Sequence, residues 1–223
     1  MTIPTFSDHK QTVPVFTKNW HIDSNPETLN FIHQQDINVS VYQRDTSSLT
    51  DQVEHLLEQH VSIRLHGNEK SIIDALKEHL LHDKHHKILE DIKQLLTIFK
   101  QVSCAETFRL FLTRVDTNMC RKFHTDINDL RLLCTYYGQG TQWLTDDNID
   151  REALHSLDRN VPVVINENKI RQVNTGDVII LKGAIYPTEN TKAAVHRSPS
   201  IEHNEESRLL LRIDTNEFLK FDV

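Results

Sequence analysis

His124 and Asp126 stand two residues apart near the head of the stretch KFHTDINDLRLLCTYYGQGTQWL (residues 122–144). In an extended segment, residues i and i+2 project to one side. An imidazole nitrogen and a carboxylate oxygen can then each take one position on a divalent ion. A lone H-x-D reads more simply as a surface histidine beside a turn aspartate, so a third donor is needed. The best placed is His196 in AAVHRSP, after the apolar run GDVIILKG and a loop containing Tyr186 and Pro187. Two histidines and one carboxylate leave three positions of an octahedron open, an arrangement suited to Fe(II) oxygen chemistry.

Twelve residues beyond His196, Arg208 opens SRLLLRID. Strand alternation puts Arg208, Leu210, Arg212 and Asp214 on one face and Leu209, Leu211 and Ile213 on the other. A buried arginine is costly unless an anion meets it, and a guanidinium fork matches a carboxylate bidentately. An organic acid held by a metal at one end would satisfy Arg208 at the other. The plainer alternative is a solvent-face arginine paired with Asp214.

Helices come first along the chain and strands later. SNPETLNFIHQQ opens with a cap and a proline suited to a helix start at Ser24-Asn25-Pro26. INVSVYQR (residues 37–44) alternates like a short strand. SLTDQVEHLLEQHV and SIIDALKEHLLHDKHHKILEDIKQLLTIFKQV have helical periodicity, the latter as two helices or one broken near His82–His86. After Cys104 the pattern changes. TFRLFLTRV, LRLLCTYY, GDVIILKG and SRLLLRID read as strands, and VPVVINENKIRQV as a hairpin around Asn166–Asn168. This order predicts an α+β chain with a small sandwich or barrel packed against N-terminal helices. With only five glycines and no low-complexity linker, residues 1–223 are expected to form a single compact unit. Residues 1–104 form its mainly helical part and residues 105–223 its strand-rich core.

Composition narrows the function classes. The chain has 223 residues, 38% hydrophobic and 26% charged, with a net charge of −7 when its 14 histidines are neutral. That balance is ordinary for a soluble protein and does not favour sequence-independent nucleic-acid binding. No apolar run approaches the roughly 18 residues of a membrane span. The start MTIPTFSDHKQTVPVF lacks the pattern of a secretory signal, and three cysteines make no disulfide framework. The expected address is the cytoplasm.

The order H-x-D, tyrosine-ended strand, Gly-Asp strand, His, Arg resembles the iron(II)/2-oxoglutarate-dependent dioxygenase superfamily. More closely, FHTDINDLRLLCTYYGQGTQWL, GDVIILKG and VHRSP with RLLLRID look like a family of uncharacterised bacterial proteins within or beside it. The likeness covers about residues 105–223 well and the helical part loosely. It implies a double-stranded β-helix, the jelly-roll core of that superfamily, braced by N-terminal helices. It further implies His124, Asp126 and His196 as catalytic iron ligands, Arg208 as the anchor of the distal carboxylate of 2-oxoglutarate, and Tyr137, less readily Tyr136, as a further co-substrate contact. Many members carry a serine two residues after the arginine, where this chain has Leu210; Arg212, on the same face, is a rival anchor. The implied reaction consumes 2-oxoglutarate and O2 and hydroxylates or demethylates a substrate whose identity the sequence does not specify.

Other signals have plainer readings. His79, His82, His85 and His86 lie at helical spacings that could clamp a metal, or simply face solvent. Cys120, four residues before His124, could enter a zinc set, but no C-x-x-C supports it. Cys134 reads as a small buried hydrophobe. Trp143 lines a substrate entrance or packs in the core. Thr125 and Tyr136 are candidate supports around the metal. The alternative to an oxygenase is a non-catalytic jelly-roll metal-binding protein in metal homeostasis or sensing, favoured by the histidine content. A cupin-like enzyme using the metal without 2-oxoglutarate is a third reading. Arg208 would have no ligand in either.

Overall fold

The computed structural model describes residues 18–80, 86–117, 119–156, 158, 161–187, 192–201 and 207–215. Among these residues ten strands form two sheets. The larger has seven strands in the order β1-β2-β8-β5-β10-β4-β3, and the smaller has three in the order β7-β6-β9. In the larger sheet these are β1 (Trp20–Asp23), β2 (Val39–Tyr42), β3 (Ser62–Gly67), β4 (Phe108–Val115), β5 (Leu130–Tyr137), β8 (Val178–Lys182) and β10 (Arg208–Thr215). β6 (Gln142–Trp143), β7 (Arg171–Gln172) and β9 (His196–Arg197) form the smaller. All pairings are antiparallel except β1 with β2.

Alternation along β10 assigns the two faces of the large sheet. Leu209, Leu211 and Ile213 join Leu110, Leu112, Leu132 and Ile180 beneath the helices. There α1 (Thr50–Glu58), α2 (Glu69–His79) and α3 (His86–Ser103) supply Leu56, Ile72, Leu76, Ile92, Leu96 and Phe99. Each fully buried aliphatic side chain contributes roughly 1.5–3 kcal/mol relative to exposure. On the other face Leu210, Leu133, Ile179, Leu181, Val39 and Val41 pack against Trp143, Val173 and Ala194, which closes the roll. A short α4 (Arg151–His155) lies outside the roll near Phe123, Leu144, Ile149 and Val195.

The helix break falls where the periodicity places it, with α2 ending at His79 and α3 starting at His86. His82 and His85 lie outside the described residues, so the histidine-cluster reading does too. Other expectations require correction. Pro26–His33 is a 3-10 helix rather than an α-helix, although Asn25 caps it by accepting from the Glu27 amide. The N-terminal part is helical and contributes β2, where INVSVYQR is read as a strand, together with two strands that reading did not include, β1 beside β2 at one edge and β3 at the other. β3 escapes pattern reading because only Ile63 of its six residues is buried. The hairpin around Asn166–Asn168 does not form. Asn166 accepts from the Asn168 amide and starts a 3-10 turn (Glu167–Lys169), and Arg171–Gln172 pairs with Gln142–Trp143 instead.

Candidate metal centre

The segment before β5 and the short strand β9 meet as a hydrogen-bonded pair. The His124 amide donates to the His196 carbonyl and the His196 amide to the His124 carbonyl, both at 3.0 Å. This sets the two imidazoles side by side, with ring centroids 4.6 Å apart. β9 is held from behind by buried Ala194 and Val195, whose backbones bond Lys182 and Leu144. Asp126 is brought in by the following turn, whose carbonyl accepts from the Ala184 amide at 2.8 Å. That turn presses on the end of β8 at Gly183, where a β-carbon would collide with Asn128.

One donor atom each from His124, Asp126 and His196 lie within 4.8 Å of one another. His196 Nε2 is 3.3 Å from Asp126 Oδ2, and His124 Nε2 is 3.6 Å from Oδ1. Both exceed the usual direct hydrogen bond. Donors sharing an ion at about 2.1 Å stand about 3 Å apart, so a small adjustment closes the set around a cation. The histidines are oriented for it. Nδ1 of His124 faces the Lys122 carbonyl at 3.0 Å and Nδ1 of His196 faces the Ala194 carbonyl at 3.4 Å. A carbonyl only accepts, so each Nδ1 carries the proton and each Nε2 keeps its lone pair for a metal.

The Asp126 carboxylate, facing the His124 imidazole, raises the His124 pKa against the opposing effect of burial. Burial would raise Asp126, but His124, His196 and Arg131 together hold its carboxyl well below the usual range. Arg131, which pattern reading did not single out, donates through Nη1 to Asp126 Oδ2 at 2.5 Å and through Nε to Asp214 Oδ1 at 2.5 Å. Its signal in the sequence was an arginine sharing one face of a largely apolar strand with Leu133 and Thr135.

Arg208 also lies on the inner face and is 2% exposed. Its Nη2 donates to Thr135 Oγ1 at 3.0 Å, its Nε has no partner, and no carboxylate among the described residues pairs with it. Burial pushes its pKa down to about 10. Gly138, with φ of +79°, lets the chain turn against the Arg208 side chain; a β-carbon there would crowd it. The rival Arg212 is engaged. Its Nε lies 2.9 Å from Asp214 Oδ2, an ionic approach without hydrogen-bond alignment, and its guanidinium stands 4.3 Å from the Phe111 ring centroid.

Tyr137 follows a register shift between β5 and β10 and is 44% exposed at the strand end. Tyr136 turns to the helix side and donates to Asp91 at 2.6 Å, so it supports neither metal nor co-substrate. Trp143 is buried in the core between the sheets, where it lines a small cavity with Val41, Arg171 and Val173. Cys120 is exposed and stands outside the donor cluster.

Two facing sheets with helices on one side, enclosing two histidines and a carboxylate, define an α+β jelly-roll protein with a candidate metal centre. The chain belongs to the family described as Protein of unknown function (DUF1826), whose profile matches residues 23–214. No curated protein matches it. Among solved structures it is similar to dioxygenase for auxin oxidation 1 from Arabidopsis thaliana in a binary complex with 2-oxoglutarate. The TM-score is 0.52 at 8% identity, covering 89% of this chain and 92% of that one. It also matches the rice dioxygenase for auxin oxidation (TM-score 0.49, 11% identity, 85% and 76% covered). A third match is a Pseudomonas putida prolyl-4-hydroxylase (TM-score 0.45, 8% identity, 85% and 96% covered). At these identities the Arabidopsis likeness is one of fold, and it bears out the jelly-roll core with its helices. Among the described residues no helix is long and apolar enough to cross a membrane.

Proposed function

We propose that this chain is an Fe(II)/2-oxoglutarate-dependent oxygenase acting as a single unit. The observation that carries the reading is a pair of features: a three-donor cluster and a buried arginine that no carboxylate among the described residues answers. His124 and His196, through Nε2, and Asp126, through a carboxylate oxygen, would hold the metal. Arg208 and Thr135 would receive the distal carboxylate of 2-oxoglutarate, whose charge offsets the burial of the guanidinium. Tyr137 borders the open end of the same strand. Leu133, Ile179 and Leu210 keep water from the inner face. When bound, Fe(II) with 2-oxoglutarate and O2 supplies the oxidant for hydroxylation or demethylation, releasing succinate and CO2.

Anaerobic titration of the metal-free protein with Fe(II) and then 2-oxoglutarate tests this. The chelate should give a weak visible charge-transfer band that is absent in His124→Ala and weakened in Arg208→Ala. Metal binding with no band in the wild-type protein would overturn the oxygenase reading and leave a metal-binding role.

A further inference from the structure

Asp126 is bound on one side before any metal arrives. Its Oδ2 accepts from Arg131 Nη1 at 2.5 Å and stands 3.3 Å from His196 Nε2, while Oδ1 faces His124 at 3.6 Å. Arg131 is itself fixed, because its Nε bonds the fully buried Asp214, which stands opposite it in the β5–β10 register. Asp214 in turn lies beside Arg212. A chain of ion pairs thus ties the carboxylate of a connecting segment to two central strands. A carboxylate that spends one oxygen on a short, charge-assisted bond has the other free for a metal.

We propose that Arg131 is a positioning residue that makes Asp126 a one-oxygen ligand and thereby keeps a coordination position open for the co-substrate. The inference rests on the metal reading above. Held by three side-chain donors, the metal would keep room for a chelating 2-oxo acid and for O2. Without Arg131, both oxygens of Asp126 are free to close on the metal and occupy a position the chelate needs. Metal affinity does not suffer, since the carboxylate no longer shares its charge with a guanidinium. Co-substrate affinity does.

The test compares wild type, Arg131→Met, Arg131→Lys and Asp214→Asn by anaerobic titration. Co(II) absorption reports coordination number, and the Fe(II) band reports 2-oxoglutarate binding. Arg131→Met should bind Co(II) and Fe(II) as well as wild type, give a different Co(II) spectrum before 2-oxoglutarate is added, and bind 2-oxoglutarate about tenfold more weakly or worse. Arg131→Lys, which keeps a single donor for Oδ2, should recover part of that affinity, and Asp214→Asn should fall between. Unchanged 2-oxoglutarate affinity in Arg131→Met overturns the proposal. Loss of metal binding itself also overturns it, because Arg131 would then serve only to assemble the donors. If Arg131→Met does not fold, Arg131→Lys and Asp214→Asn decide by the same two readouts. A wild-type protein with no band falls under a different failure, that of the oxygenase reading.

Discussion

Arg44, partly buried, and Arg208, fully buried, pack against opposite faces of the seven-stranded sheet, and they differ in what answers their charge. On the helix face Arg44 grips Asp91 with both guanidinium nitrogens, at 2.5 and 3.0 Å, and Tyr136 donates to the same carboxylate at 2.6 Å. This ties the chain after β2 to α3 and β5 through groups that satisfy one another. On the inner face Arg208 has one neutral hydroxyl and, among the described residues, no counter-charge. A closed ion pair needs no ligand; an open one costs stability until a ligand arrives. The contrast separates an arginine that assembles the fold from one poised for an anion.

The sharpest break of that comparison is to make Arg44 resemble Arg208. Asp91→Ala strands a buried cation and should cost about 3–5 kcal/mol of stability, measured by chemical denaturation. Removing the open charge should act in the opposite direction. Arg208→Met should leave the metal-free protein as stable as wild type or about 1 kcal/mol more so. It should abolish the stabilisation that 2-oxoglutarate with metal gives wild type, about 2.7 kcal/mol at a hundredfold excess over Kd. Thermal melts with and without ligand check both statements. Equal ligand shifts in the two proteins would end the distinction between the arginines.

Gly138→Ala is a subtler intervention on the inner face. A side chain at φ of +79°, pressed against Arg208, should cost about 1–3 kcal/mol and weaken 2-oxoglutarate binding, read in the same titration. The smallest effect probes how tightly the helix face is closed. Cys134 is 1% exposed beside Arg44, and burial pushes its thiol up to about 12. In the native protein Cys104 and Cys120 should react with a thiol reagent at neutral pH, and Cys134 only after unfolding.

How far the sequence reached depends on how local each signal is. β4, β5, β8 and β10 were visible because their alternation or apolar runs lie within single stretches, and α1 to α3 because their buried residues recur at helical spacing. β1 and β3 were hidden. They are edge strands, half solvated, and their pairing partners lie far along the chain. The turn at Asn166 was misread because a side-chain oxygen took the amide that a hairpin would have used.

The same division runs through the site. The sequence by itself determined the donor types, their order and the face of β10 on which Arg208 stands, since residue chemistry and a two-residue period need no knowledge of the rest of the chain. Only the tertiary structure decided that His124 and His196 pair backbone to backbone, that Arg131 bridges Asp126 and Asp214, and that Asp214 engages Arg212 and leaves Arg208 without a counter-charge among the described residues. These are matters of register between strands distant in sequence. A shift of one residue in that register would exchange every partner while leaving each local pattern unchanged.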